Sequence, residues 1–479
     1  MKCPRLRIAM ALFLLLALPA QPRAGAYSLL THEQLIDLTW QDSVVPLLLS
    51  RYPGLTPAQL DEARAYAYGG CVIQDIGYYP YGDLTFSNLT HYVRTGDFVV
   101  ALFRNASNAD ELAFAIGALS HYIGDSVGHS QATNRAVPIL FPKLQSKFGP
   151  VVNYAQAPHP HVQTEFAFDI NEIAHHRMAP VHYLRHIGLM VPVHQLALAY
   201  YQTYGLTEDF SSTRGRRFNL SGYRFATRSF IPRIAYAVTL LHRGQRPPEP
   251  QSPERIQMDK ETAALAISNN WQAYRRRAGI GTYTLAGILW ILPKVGPLKM
   301  VAVKGPTQAT EVDYLHSVVL SEALLRQRLA SFTPSADLRS TTANAISTAT
   351  LAPLPAAQPQ SAGSAVGQTT HPVRDPHHPL PNRDLDTGLV VQPGGYSLTD
   401  STYADLLHRL TQAPAQPIPP GIKQDIQAYY ADPAAPITTK KNAPAWAQVQ
   451  ADLATLAAMP TSAEPEPFPT YGDEPDAQP

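Results

Sequence analysis

The segment Ser120–His129 carries the side chains best suited to chemistry in this chain, and it reads SHYIGDSVGH. His121 and Asp125 are four residues apart, so on a helix their side chains lie on one face, and His129 follows one further turn along. Imidazole nitrogens and carboxylate oxygens at such spacing can share metal ions. A single pair of this kind is common on helix surfaces, so the segment alone does not establish a metal site.

A second pair with the same spacing considerably strengthens the prediction of a metal-binding site. His161 and Glu165 are again four residues apart, in the segment HVQTE. The residues before His121 are mostly apolar, which predicts that this helix is buried, and buried ionisable groups must be paired or coordinate a metal. Two helices that each present a histidine and a carboxylate can build a metal site in the core of a bundle.

In order and kind, these residues resemble the ligands of the bacterial zinc-dependent phospholipase C family. In that family one helix carries His-x-x-x-Asp followed by another His, and a later helix carries His-x-x-x-Glu. The resemblance covers about residues 27–240. It implies an all-α fold, a multi-helix phospholipase C-like bundle with a cluster of zinc ions, and hydrolysis of a phosphodiester by metal-activated water.

The resemblance also implies the remaining ligands. The family has an earlier Asp and His, which Asp75 and His91 match by position, and it uses the mature N-terminal amino group with a nearby His, which Tyr27 and His32 match. It therefore implies two to three zinc ions. The first would be held by Asp75, His91, His121 and Asp125, the second by His129, His161 and Glu165, and the third by Tyr27, His32 and a bridging Asp125. Asp75 would also act as general base.

One departure from the family leaves the substrate open. Three residues separate Asp125 from His129, where the well-known phospholipases C have five, and this spacing resembles the glycosylphosphatidylinositol-specific phospholipase D branch. Single-strand-specific zinc nucleases share the fold, but their second pair ends in Asp, so Glu165 favours a phospholipase. Three hypotheses follow: a phospholipid-cleaving phosphodiesterase, which implies peripheral membrane contact, a nuclease, or a non-enzymatic module stabilised by zinc.

Other polar residues compete less well for the site. His159 lacks a carboxylate four residues on, Asp83 lies only eight residues before His91, and the Glu172/His175 and His182/His186 pairs have the spacing of surface pairs. Tyr78, Tyr79 and Tyr81 either pack in the core or line a headgroup pocket by cation–π contact.

The elements that position these side chains can be predicted from helical periodicity. Apolar residues recur at helical spacing up to about residue 333, whereas alternating strand patterns are scarce. The predicted helices cover residues 56–67, 108–131, 161–177, 184–204, 219–242, 253–277 and 310–331. The apolar run 285–292 is too short to span a bilayer, so it is either a buried helix or an interfacial contact with lipid.

Composition and charge narrow the class further. Among 479 residues the net charge is +1 and charged residues make up 16%, which gives no electrostatic case for nucleic acid as an obligate partner, and nothing implies a protein partner. Residues 1–26 have the basic start, apolar stretch and small residues of a signal peptide, so we expect a secreted or periplasmic protein. Cleavage after Ala26 would make Tyr27 the mature N-terminus, and cleavage after Ala20 is the alternative.

The C-terminal third changes character. Residues 334–383 are rich in Pro, Ala, Ser and Thr, which predicts a disordered linker between the hydrolase domain at 27–333 and a short helical appendage at 384–460. Residues 461–479 are predicted to be a disordered tail. On this division, a chain that ends near residue 335 should remain soluble and bind metal.

Overall fold

The computed structural model describes residues 28–78, 82–208, 210, 220–242, 249–292, 303–332, 380–432 and 443–463. All regular elements in these ranges are helical, so the predicted all-α fold is confirmed. The β contacts in these ranges are two isolated bridges. The proposed signal peptide, Tyr27, Tyr79, Tyr81, most of the predicted linker and most of the predicted tail lie outside them.

The α-helices are numbered here in chain order. They are α1 Leu29–Thr39, α2 Val45–Arg51, α3 Pro57–Gly70, α4 Leu84–Tyr92, α5 Thr95–Arg104, α6 Ala109–Gly128, α7 Asn134–Leu140, α8 Pro142–Phe148, α9 Pro158–Ala174, α10 Val181–Ile187, α11 Val193–Tyr204, α12 Leu220–Phe225, α13 Ile231–Leu241, α14 Pro253–Ser268, α15 Trp271–Tyr274, α16 Ile280–Ile291, α17 Gln308–Ser331, α18 Ser397–Thr411, α19 Pro420–Tyr429 and α20 Ala443–Ala458.

Helix α6 runs through the centre of the fold and packs against α3, α5 and α17. It begins at a polar cap, because the Asn108 side chain accepts a hydrogen bond from the Glu111 amide at 3.0 Å. Two glycines let α3 and α6 cross closely: a Cβ atom on Gly117 would lie 2.2 Å from the Ala67 carbonyl oxygen, and one on Gly70 would lie 2.0 Å from that of Phe114. The polar residues of α6 are therefore held deep inside the protein.

Helix α9 starts earlier than its sequence suggested. We predicted a start at His161, with the prolines before it as a breaker, but α9 begins at Pro158. Proline is favoured in the first helical turn, where an amide hydrogen would have no acceptor, so Pro158 and Pro160 begin the helix instead of preceding it. The predicted helix 184–204 is in turn divided into α10 and α11, because Gly188 ends α10 with φ of 91°.

The C-terminal segment packs against the main body of the protein. Leu380 is buried, and the Thr95 hydroxyl donates a hydrogen bond to the Arg383 carbonyl at 2.8 Å. Helix α18 packs against α4, and Tyr403 and Leu406 belong to the same apolar core as the residues of α6. Packed residues are therefore already present at Leu380, before the predicted boundary at residue 384. Proline-rich composition cannot show where packing resumes, since that depends on partners far away in sequence.

Helix α16 contains the apolar run that had two interpretations. Only Ala286 and Leu289 of its side chains are fully buried, where the helix packs against α13. Trp290 and Ile291 are each 75% exposed, so α16 is not a buried core helix. Within the described residues, no helix is both long and apolar enough to cross a membrane.

Candidate metal centre

Four buried side chains from three parts of the chain form the first cluster. They are Asp75, from the short helical turn after α3, His91 of α4, and His121 and Asp125 of α6. The His91 Nε2 atom lies 3.3 Å from Asp75 Oδ1 and 3.3 Å from Asp125 Oδ2, and His121 Nε2 lies 3.1 Å from Asp125 Oδ2. Ligand atoms around a tetrahedral zinc with bonds of about 2.0 Å are about 3.3 Å apart, so this spacing suits one zinc ion.

Backbone carbonyl groups orient the histidines of this cluster. The Nδ1 atom of His91 lies 2.7 Å from the Ser87 carbonyl oxygen, and that of His121 lies 2.9 Å from the Cys71 carbonyl oxygen. A carbonyl oxygen only accepts, so Nδ1 carries the proton in both rings. Each Nε2 lone pair is then directed into the cluster, which is the arrangement expected of zinc-binding histidines.

His129, His161 and Glu165 form a second buried cluster. The Nε2 atom of His161 lies 2.7 Å from Glu165 Oε1, and that of His129 lies 3.5 Å from the same oxygen. His129 begins a π-helical turn that follows α6 directly. This turn and the first turns of α9 bring the three side chains together, as the spacing of the two sequence motifs suggested.

The Asp125 carboxylate faces two groups of ligands at once. Its Oδ1 atom lies 3.2 Å from His32 Nε2, while its Oδ2 atom faces His91 and His121. The rings of His32 and His121 stack with their centroids 4.2 Å apart. This is the geometry of a bridging carboxylate. Tyr27 lies outside the described residues, so a third zinc bound by the N-terminal amino group stays a prediction.

The buried polar atoms of both clusters fit a divalent cation. Within the described residues, the carboxylate oxygens of Asp125 and Glu165 and the Nε2 atoms of His129 and His161 lie against other side chains of the clusters, but these contacts lack hydrogen-bond geometry. A buried polar group without a partner costs about 1–3 kcal/mol, and more when it is charged. Bound zinc would remove this cost, since it prefers the nitrogen and oxygen donors that are gathered here.

The electrostatics of the second cluster agree with a bound cation. Burial, and after it the negative charges of Asp125, Asp75 and Asp386, raise the pKa of Glu165 well above its ordinary value. Burial, and after it the neighbouring His129, lower the pKa of His161 well below its ordinary value. His161 is thus held neutral, the form that binds metal, while the carboxylates need a nearby positive charge to ionise together.

Asp386, in the C-terminal segment, is a site residue that sequence reasoning missed. Its Oδ1 atom lies 3.8 Å from His129 Nε2. Its Oδ2 atom accepts hydrogen bonds from the hydroxyl groups of Tyr92, at 3.0 Å, and Tyr396, at 2.6 Å. The Asn134 amide donates to the Asp386 carbonyl at 2.7 Å. The only signal in the sequence is a short acidic turn, Asp-Leu-Asp-Thr-Gly, just beyond the predicted linker.

Leu385 connects this segment to both clusters through its backbone. Its amide donates to the His91 carbonyl at 3.0 Å, and its carbonyl oxygen lies 2.7 Å from His129 Nδ1. Gly388 ends the turn with φ of 72°, and a Cβ atom there would lie 2.4 Å from the Ser126 carbonyl oxygen. The turn therefore lies directly against the end of α6.

Among the weaker candidates, Asp83 and three histidines lie outside both clusters. The Asp83 side chain caps α4 by accepting a hydrogen bond from the Thr85 amide at 2.9 Å, and His159, His182 and His186 are exposed. Tyr78 lies beside the first cluster, with its ring centroid 5.4 Å from that of His91.

A further gathering of donor atoms, from His175, Glu249 and Glu311, surrounds an arginine. The Arg177 guanidinium contacts Glu172 at 3.0 Å and lies 3.9 Å from Glu311, and it also pairs with Glu249. The arginine supplies the positive charge here, so this group does not indicate a metal site. Glu172 and His175 accordingly take part in an ion-pair network.

Comparison with known proteins agrees with the geometry. Residues 31–208 match the family model described as zinc dependent phospholipase C, which confirms the resemblance found in the motifs. The match includes every predicted ligand except Tyr27, and it ends well before Asp386. Searches of curated proteins and of solved structures gave no significant match.

Proposed function

We propose, on the premise that residues 31–208 are a domain of the zinc-dependent phospholipase C family, that this chain is a secreted phosphodiesterase that hydrolyses phospholipids. The observation that carries the proposal is the bridging position of Asp125, whose two oxygens face different histidines, next to the second cluster. Zinc ions, if held by these two neighbouring clusters, would stabilise charge on the attacking and the leaving oxygen of a phosphodiester.

The side chains of the two clusters have different roles in such a reaction. Zinc, when bound, supplies Lewis-acid activation of water and neutralises charge on the phosphate. The histidines hold their Nε2 lone pairs inward, and Asp125 fixes the distance between the two ligand groups. Asp75 is the candidate general base. Its Oδ1 atom faces the first cluster, 3.3 Å from His91 Nε2 and 4.0 Å from His121 Nε2, and the carboxylate could take a proton from the attacking water.

The test is a substrate comparison on the purified, zinc-loaded full chain. We expect release of diacylglycerol and a phosphorylated headgroup from phosphatidylcholine in mixed micelles, loss of this activity with a chelator, and recovery when zinc is returned. Mass spectrometry of the products separates this outcome from phosphatidic acid, which would indicate cleavage on the other side of the phosphate. Cleavage of single-stranded DNA without lipid turnover would instead favour the nuclease, and tightly bound zinc with neither activity would favour a structural role.

We expect Asp386→Asn to weaken the binding of one zinc ion by about 10- to 100-fold, because Asp386 stands beside His129 and its replacement removes a negative charge from the second cluster. Competition with a chromophoric chelator measures this affinity directly, without reference to activity. Asp405→Asn is the matched control, since Asp405 lies in the same C-terminal segment but is 46% exposed and pairs with Arg409. Equal zinc affinity in all three proteins would show that Asp386 takes no part in metal binding.

A further inference from the structure

A strongly basic cavity lies away from both metal clusters. Its volume is about 430 Å³, and it lies between the C-terminal end of α9, α10, α13 and the chain that leads into α16. Among the described residues, its wall contains five arginines, Arg185, Arg233, Arg275, Arg276 and Arg277, and no aspartate or glutamate. In a chain whose net charge is only +1, this local excess of positive charge is pronounced.

Within the described residues, no carboxylate forms an ion pair with any of the five arginines. Arg185 and Arg275 instead donate hydrogen bonds to the backbone carbonyls of Arg228 and His176. Partial burial, and after it the charge of Arg233, lower the pKa of Arg185, while partial burial followed by Arg185 and Arg276 lower the pKa of His182. These like charges repel each other, so an anion in the cavity would be favoured.

An exposed apolar helix face adjoins the cavity. Thr282 of α16 forms part of the cavity wall, and the next turns of α16 expose large side chains. Ile280 is 87% exposed, Tyr283 58%, and Trp290 and Ile291 75% each. On an α-helix these positions fall within an arc of about 100°, which also includes Gly287. Ala286 and Leu289, which pack inward, lie on the adjoining side. Several large apolar side chains exposed on one helix indicate contact with a partner or a membrane.

We propose that α16 and the arginine cavity together form a docking surface for an anionic lipid bilayer. The outward face of α16 would lie among the headgroups and upper acyl chains, while the arginines bind lipid phosphates. The combination of the two features selects this occupant, because basic residues attract an anionic lipid surface and tryptophan is favoured at the boundary between headgroups and acyl chains. With 12 residues, α16 is about 18 Å long, which suits a helix that lies in the interface rather than across the bilayer.

Vesicle binding of the full chain tests the surface separately from hydrolysis. We expect binding to vesicles of phosphatidylcholine with phosphatidylglycerol to be at least about tenfold tighter than to phosphatidylcholine alone, since each basic residue near an anionic surface adds about 1 kcal/mol. Trp290 fluorescence should shift to the blue on binding. Trp290→Ala with Ile291→Ala should abolish binding, and Arg233→Gln with Arg276→Gln and Arg277→Gln should remove the preference for phosphatidylglycerol.

Matched controls make the outcome specific. Lys143→Gln removes an exposed charge from α8, and Ile139→Ala removes an exposed apolar side chain from α7; both should bind like the unaltered chain. The α16 and arginine variants should still hydrolyse a water-soluble phosphodiester. Absence of this hydrolysis in the unaltered chain would contradict the proposed function, whereas the vesicle assay alone tests the docking surface. Equal binding of all variants would overturn the proposal. So would a dimer in sedimentation velocity that Trp290→Ala converts to a monomer, since a second copy would then cover α16.

Discussion

Ending the chain after Phe332 is expected to abolish the folded, zinc-loaded protein. Although the composition of the linker favours a separable appendage, the segment from Leu380 onward contributes buried apolar side chains to the main core and Asp386 to the second metal cluster. Each fully buried large apolar side chain is worth about 1.5–3 kcal/mol. The buried apolar side chains of α18 and α19, before the entropy of ordering the segment is subtracted, are together comparable with the net stability of about 5–15 kcal/mol that is typical of a folded domain.

Expression yield, zinc content and thermal unfolding measure this effect. The shortened chain should aggregate, or should lack a cooperative transition and retain less zinc than the full chain. A chain that ends after Ala463 is the control, since it keeps every described contact of the C-terminal segment. If the chain that ends at Phe332 bound zinc and melted like the full chain, the packing of the C-terminal segment would contribute nothing to stability.

Asp125→Asn is expected to produce the largest loss of activity among single substitutions. The amide has nearly the same shape as the carboxylate, but it lacks the negative charge and one acceptor oxygen, so it cannot bridge the two groups of histidines. We expect the zinc content to fall by at least one ion and phosphodiester hydrolysis to fall by about a thousandfold, because a loss of several kcal/mol in charge stabilisation corresponds to several powers of ten in rate.

Elemental analysis measures the zinc content, and a soluble phosphodiester substrate measures the rate of hydrolysis. Asp110→Asn is the matched control, because Asp110 begins the same helix but lies outside the metal centre. It should keep its zinc and its activity. Full activity in the Asp125→Asn protein would show that the contact between His121 and Asp125 is a structural ion pair.

Local spacing predicted the parts of the site that lie within single helices. The His121/Asp125 and His161/Glu165 pairs follow from helical periodicity, and the structure places each pair on one helix with the ligand atoms adjacent. Asp75 came from resemblance alone, because a carboxylate in a short turn has no periodic signature. Asp386 had neither kind of signal. The backbone contact that brings its neighbour Leu385 to His129 joins residues 256 positions apart.

The exposure of α16 could not be predicted for a related reason. Hydropathy shows that a helix is apolar on all sides, but it does not show how many of those sides have a neighbour. In the structure α13 covers one side, and the side that carries Tyr283 and Trp290 faces outward. Packing therefore excludes the interpretation as a buried helix, and contact with lipid stays a proposal.

The backbone of Leu385 has a consequence for how the protein takes up its metal. Its amide is bonded to the backbone of His91 and its carbonyl to the ring of His129, so one residue connects a ligand of each cluster. Filling either cluster would immobilise this residue and so reduce the ordering entropy that opposes filling of the other. We therefore expect the two zinc-binding steps to be positively cooperative, with little singly filled protein in a zinc titration.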